Sequence, residues 1–305
     1  MSNKGKISNR FLVVVLFVST IIFFVRLYYM GNIGKIISSP DRVTDILDER
    51  IIKDEEYKVD NIKNISVNVD VGRVYLYSTE NSNGRVVISK NGKANGRDVR
   101  IQEKNNELNI EANIKNKKVI KIGFPFNLHI FDKKDNEKYI VKLYVPKKYN
   151  NDIELKSKVG DINIKSIDIN NLKVTANIAE IRGDSIKSKN INLKVSTGEI
   201  NLKKLSGKLS CNNSIGDIKI ECSKLVDDID ITNSTGQINL YVPEESDFNL
   251  NAKTQTGDIK NEFKSMNVNE KREVVKKSVS VKNGTGKYNI SLKNSLGEIE
   301  ILKTR

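Results

Sequence analysis

One short phrase recurs through the C-terminal half of this 305-residue chain at a nearly constant interval. A glycine is followed by an acid or amide and then an isoleucine: VGDINI at Gly160, TGEINL at Gly198, IGDIKI at Gly216, TGQINL at Gly236, TGDIKN at Gly257 and LGEIEI at Gly297. AEIRG joins the series if Ala179 takes the glycine place, and the steps are then 19, 19, 18, 20, 21 and 40 residues. The flanks hold the register. Seven positions before each key residue stand Ile153, Leu172, Ile191, Leu209, Ile229, Leu250 and Ile290. Five before stand Leu155, Val174, Leu193, Cys211, Ile231, Ala252 and Leu292. Two after stand Ile162, Ile181, Ile200, Ile218, Ile238, Ile259 and Ile299. Apolar residues two apart make strands with one buried face. Each unit therefore offers two short strands on either side of a turn, where glycine supplies a positive φ.

A period near 20 residues marks a stacked array. A single unit buries too few aliphatics to offset the entropy of ordering it, so units must share backbone ladders and a common interior. The expected fold is all-β: a parallel, two-sheet β-solenoid of about 19–20-residue rungs. Ile162, Ile200, Ile218, Ile238, Ile259 and Ile299 face its core, and Gly160, Gly198, Gly216, Gly236, Gly257 and Gly297 make its turns. A twisted β-sandwich of antiparallel hairpins satisfies the same alternation and is the alternative. GTGKYNI at Gly286 imitates the phrase, but aligning on Gly297 keeps Ile290 and Leu292 in register, so Gly286 belongs to a connecting turn.

The array is expected over residues 151–305, with an irregular rung or excursion at 262–285. Residues 60–150 also alternate, in NISVNVDVGRVYLYS, GRVVIS, ELNIEANI and KYIVKLYVP, split by Asn/Gly turns. This part is expected to cap the first rung. FPFNLHIF at 124–131 reads best as core filling, ahead of a membrane-proximal contact or a ligand-facing patch.

The N-terminus carries a different signal. FLVVVLFVSTIIFFV at 11–25 follows Lys4, Lys6 and Arg10, and RLYYM extends it. About 20 apolar residues at ~1.5 Å each span a ~30 Å hydrocarbon core. Arg26 can snorkel, and Tyr28 and Tyr29 suit the interface. An uncleaved transmembrane helix over 11–30 is preferred to a cleaved signal peptide or a buried helix, because no A-x-A-like cleavage site follows. Residues 1–10 then form a cytoplasmic tail, 31–59 a juxtamembrane connector, and the large C-terminal part lies outside the cytoplasm in a single-pass arrangement.

An anchor, a strand-rich lead, VYVP-like and GDI-type phrases and a closing GTGKYNISLKNSLGEIEI together resemble the bacterial putative adhesin domain. That is a β-strand-repeat family of largely unknown function, and the resemblance covers residues 60–303. It implies a cell-envelope protein and brings no catalytic residues.

Chemistry is sparse. Asp161, Glu199, Asp217, Gln237, Asp258 and Glu298 follow the turn glycines and would form one column. A calcium site needs several oxygens converging on one point, and calcium-binding solenoids use another phrase, so a solvated turn is the better reading. No G-x-S-x-G, H-E-x-x-H or phosphate-cradling glycine loop occurs, His129 is the single histidine, and no cofactor is implied. Cys211 and Cys222 fall on core positions, with a disulfide between them the lesser reading. The formal charge of +14 is spread along the chain and suits an anionic wall polymer or lipid headgroups. Nucleic acid is not an expected partner, since an exported chain lacks access and no aromatic platform recurs.

The sequence thus supports a membrane-anchored, non-catalytic, adhesin-like binding module at the bacterial cell surface. A regulatory or structural partner in envelope-stress sensing and a polysaccharide-active β-helix enzyme are the alternatives. Its partners would be the membrane, an anionic polymer or a surface protein, and the last strand, 296–305, is expected to be an open edge suited to dimerisation.

Overall fold

The computed structural model describes residues 49–91, 98–113, 138–263, 269–272 and 276–304. The anchor segment at 11–30, FPFNLHIF and His129 lie outside the described residues. Among the described residues no helix is long and apolar enough to cross a membrane.

Alternation sets the elements. The strands are β1 (Glu49–Tyr57), β2 (Asn64–Thr79), β3 (Gly84–Asn91), β4 (Val99–Lys104), β5 (Glu107–Ala112), β6 (Tyr139–Pro146), β7 (Asp152–Val159), β8 (Ile162–Ile178), β9 (Ile181–Thr197) and β10 (Ile200–Ile215). There follow β11 (Ile218–Cys222), β12 (Ile229–Thr235), β13 (Ile238–Val242), β14 (Phe248–Thr256), β15 (Ile259–Asn261), β16 (Asn269–Arg272), β17 (Lys277–Asn283), β18 (Tyr288–Leu296) and β19 (Ile299–Lys303). The rungs pair in parallel, with equivalent residues opposite each other: Ile162 with Ile181, Ile200 with Ile181 and Ile218, and Ile238 with Ile299. Parallel, in-register pairing excludes the hairpin sandwich. Strands before the glycines stack into one face and strands after them into the other, while β2, β8, β9 and β10 run through corners and serve both.

The spatial order of the rungs departs from their order in the sequence at both ends. At the C-terminal end β12 and β13 pair with β18 and β19, and these in turn with β14 and β15. The Gly297 rung is thus inserted between the Gly236 and Gly257 rungs. The 40-residue step is therefore an out-and-back path, with β17 lying antiparallel along β14 as a cap and β16 antiparallel along β17. At the other end β2 is itself a rung on Gly72, lying between β5/β6 and β7/β8. Its Ile65, Val67, Val74 and Leu76 occupy the template positions and are fully buried. β4 caps β5 and β3 caps β6, both antiparallel, and β1 pairs with β3.

Two expectations change. β19 is not an open edge: Ile299, Glu300 and Ile301 pair with β13 on one side and β15 on the other. The chain end reads as exposed only if sequence order is taken for spatial order. Residues 49–57, expected as part of the juxtamembrane connector, belong to the sheet. They form β1, held by Arg85 donating to Asp54 at 2.6 and 2.7 Å and by the buried Tyr57 hydroxyl donating to the Tyr144 carbonyl at 2.9 Å.

The glycine corners show why this residue is needed. At Gly198 φ is +142°, and an added Cβ would sit 1.8 Å from the Ala179 carbonyl oxygen. Backbone amides on either side of each corner reach the next rung, as in Gly198 N to Ile215 O at 2.8 Å and Ile200 N to Asp217 O at 2.9 Å. The carbonyl of the glycine itself is left out of this ladder. In the C-terminal rungs a buried side chain three positions before the next glycine caps it. Asn213 donates to Gly198 O at 3.1 Å, Asn233 to Gly216 O at 3.0 Å, Asn294 to Gly236 O at 2.7 Å, and Thr254 to Gly297 O at 3.1 Å. The opposite corner of three rungs holds an extra residue in the left-handed region, at Ser166, Ser185 and Lys204, so that Ile167, Ile186 and Leu205 turn inward. The Gly216 rung lacks that residue, and Cys222 pairs directly with Leu205.

Two measurements check this account. Asn294→Ala leaves the Gly236 carbonyl uncapped in the interior and is expected to lower unfolding free energy by about 1–3 kcal/mol in a urea titration. Deleting residues 296–305 strips the buried Ile299 and Ile301 from between two rungs. It is expected to cost at least about 4 kcal/mol and lower the melting temperature, rather than alter only oligomeric state.

Candidate functional site

The inward column contains no chemistry. Ile162, Ile200, Ile218, Ile238 and Ile299 are at most 1% exposed, and Ile259, in the outermost rung, is partly buried. Cys211 and Cys222 are free thiols buried in this interior, and burial pushes both up to about 12. No disulfide joins them.

The residues after the glycines do line up. In spatial order they are Asp161, Glu180, Glu199, Asp217, Gln237, Glu298 and Asp258, preceded by Arg73 on the Gly72 rung. At a strand spacing of ~4.8 Å, neighbouring carboxylates repel by about 0.9 kcal/mol even in water. Local contacts relieve part of this. Arg182 bridges Glu180, Lys277 bridges Asp258, and Asp217 accepts from the Gln237 amide at 2.8 Å. Lys260, near enough in sequence to offset the column, bridges Glu300 instead. Burial first, then Asp161 and Glu199, raise the Glu180 carboxyl above its usual range, with Arg182 opposing. Among the described residues no group of three or more His, Cys, Asp or Glu is placed to hold a metal ion.

Several shallow grooves mark the surface, and two of them gather distinctive outward side chains. On the post-glycine face, Tyr75 and Tyr77 of β2 stack with centroids 5.9 Å apart and planes at 16°. Tyr144 of β6 pairs with Tyr77 in register, 5.5 Å away at 30°. All three are partly exposed, and burial followed by the adjacent tyrosines raises the Tyr77 phenol, keeping it a neutral donor. A groove of about 390 Å³ runs beside Tyr75 and Tyr77, with Asn163, Lys165, Arg182, Asp184, Asn201 and Lys203 among its lining residues. Sequence reasoning misses this platform. Tyr75 and Tyr77 are visible as outward alternating positions, but Tyr144 joins them only through pairing across 67 residues.

On the pre-glycine face, near the C-terminal cap, a groove of about 610 Å³ crosses β17, β14 and β18. Its outward positions form a grid. Asn249, Asn251 and Lys253 of β14 stand opposite Asn289, Ser291 and Lys293 of β18, with Lys282 and Ser280 of β17 opposite Asn249 and Asn251. Lys253 and Lys293 are directly opposite like charges, an arrangement that destabilises a sheet. Asp230 opposes Ser291, Asp228 accepts from the Asn289 amide at 2.7 Å, and Asp247, two residues before Asn249, accepts from the Lys287 amide at 2.9 Å, so the carboxylates described here stand at the edges of the grid.

Glu180 provides a pH test. A carboxyl raised in the folded state contributes stability that is whole below its unfolded value and is lost as pH rises through the folded one. Glu180→Gln is therefore expected to melt higher than the parent at pH 7, with the difference vanishing below about pH 4.

The chain is similar to a solved putative adhesin from Bacteroides fragilis NCTC 9343, at 14% identity and TM-score 0.39, covering 83% of this chain and 97% of that one. It is similar to a putative cell adhesion protein from Clostridium sporogenes ATCC 15579, at 12% identity and TM-score 0.36, covering 84% and 100%. A putative lipid binding protein from Parabacteroides distasonis ATCC 8503 has 14% identity and TM-score 0.25, covering 83% and 96%. No curated protein matches. Residues 62–302, from the first buried turn to the last strand, match the Toastrack DUF4097 family, and the chain belongs to that family.

Proposed function

We propose that this chain is a membrane-anchored, extracytoplasmic binding module without a reaction of its own, and that it holds an extended envelope polysaccharide against its post-glycine face. The observation that carries the reading is the Tyr75–Tyr77–Tyr144 platform beside a groove lined by amides and cations. Aromatic faces offer flat apolar area to sugar rings, and Asn163, Asn201, Lys165 and Arg182 supply hydrogen bonds at their rims. Ladders on both sides hold the platform, parallel to β8 and antiparallel to β3, so little ordering entropy is lost on binding. The apolar run at 11–25 and the basic residues before it support the anchor and its orientation.

Tyr75→Ala/Tyr77→Ala in the full chain tests the reading. Each ring contributes about 1 kcal/mol, so retention on immobilised envelope polysaccharide is expected to weaken by about thirtyfold with an unchanged melting curve. Undiminished retention would overturn the platform's role. Release of the full chain from membranes by a high-salt wash would overturn the anchor.

A further inference from the structure

The groove across β17, β14 and β18 plays no part in the tyrosine platform and lies on the other face. We infer that it is a second binding site, for a linear polymer carrying phosphate groups. Three lysines point into it: Lys253, Lys293 and Lys282, all exposed. None of the three has an ion-pair partner among the described residues, whereas many other lysines of the sheets do, such as Lys156 and Lys173 with Glu154 and Lys187 with Asp168. Between the lysines stand Asn251, Ser280 and Ser291, which donate hydrogen bonds without adding negative charge.

The Lys253–Lys293 pair is the strongest sign. The register fixes two ammonium groups on adjacent strands, opposite one another, with no carboxylate inserted between them. Elsewhere on this face an acid is placed to receive two lysines, as Glu154 does. An anion seated between Lys253 and Lys293 would remove the repulsion and take a hydrogen bond from each. Phosphate fits better than a carboxylate, because its several oxygens can accept from both ammonium groups and from the neighbouring hydroxyls at once.

Length distinguishes a polymer from a single anion. Lys282 stands opposite Asn249, four positions along β14 from Lys253, or about 13 Å at strand rise. One phosphate cannot meet both points, but a chain with repeated phosphates lying along the strands can.

The full chain in a neutral detergent can be titrated against labelled linear inorganic polyphosphate. Binding is expected, with inorganic monophosphate a far weaker competitor. Lys253→Gln/Lys293→Gln should weaken it by about tenfold or more and reduce the slope of log K against log salt by about two, one for each lysine removed from a phosphate. Lys253→Arg/Lys293→Arg should retain binding, and the melting curve of the glutamine variant should match or exceed the parent's. Lys194→Gln, on the same face but outside the groove, should leave affinity unchanged, as should Tyr75→Ala/Tyr77→Ala, so this site and the tyrosine platform can fail separately. Equal binding by parent and Lys253→Gln/Lys293→Gln would overturn the inference. So would an equal loss in Lys194→Gln, which would reduce the effect to net charge. Displacement of polyphosphate by phosphatidylglycerol mixed into the micelles would overturn it in favour of lipid headgroups.

Discussion

The fold depends on the close approach of one backbone to the next at the glycine corners. A Cβ at Gly160, Gly198, Gly216, Gly236, Gly257 or Gly297 would lie 1.7 to 2.2 Å from a carbonyl oxygen of the adjacent rung, too close for any side chain. This approach sets where each rung crosses from one face to the other. Once the crossing is fixed, the isoleucine two residues later and the aliphatic five residues earlier have no freedom of register. They stack on their counterparts because the corner has already aligned them. The buried asparagines belong to the same arrangement, since the corner that brings two backbones together also leaves a carbonyl without a ladder partner.

A parallel stack has two ends, and unpaired strands at an end invite association. Here antiparallel strands cover part of both ends. At the C-terminal end the chain passes over a rung position, builds the outer rung and lays β17 along β14, with β16 outside β17; at the N-terminal end it builds the inner Gly72 rung first, and β3 and β4 lie along β6 and β5 of the outer rung. The first and last rungs in sequence, on Gly72 and Gly297, therefore become interior ones. Closing the stack needs pairing between segments far apart in the chain, so the terminal rungs complete the core as well as extend it.

The outer faces follow from the same geometry. A ladder presents identical strand positions every ~4.8 Å, so outward residues form columns whose chemistry changes from rung to rung while their spacing does not. Tyrosines gather where β2 meets β6, acids gather after the glycines, and unpaired lysines gather where β14 meets β18. Such a surface is suited to extended ligands, which can touch several columns at once, more than to small substrates, which need an enclosed and convergent site.

Much of this is legible in the sequence. The interval between glycines, the alternation around them and the false match at Gly286 are enough to predict an all-β stack with a shared interior, because those features depend on residue spacing alone. The Gly72 rung is legible too, through Ile65, Val67, Val74 and Leu76, but Arg73 stands where the other copies carry an acid or amide and hides the likeness. What only the tertiary structure decided was adjacency. Nothing local in TGDIKN or LGEIEI states that the Gly297 rung precedes the Gly257 rung in space, since both present the same inward aliphatics and either order satisfies the alternation. The choice rests on pairing between segments some 40 residues apart, and it also brings Lys253 to Lys293 and, at the other end, Tyr77 to Tyr144. Spacing fixes what one rung is; the outer surfaces arise from which rungs become neighbours, and that is settled by ladder hydrogen bonds and core packing acting across the whole chain.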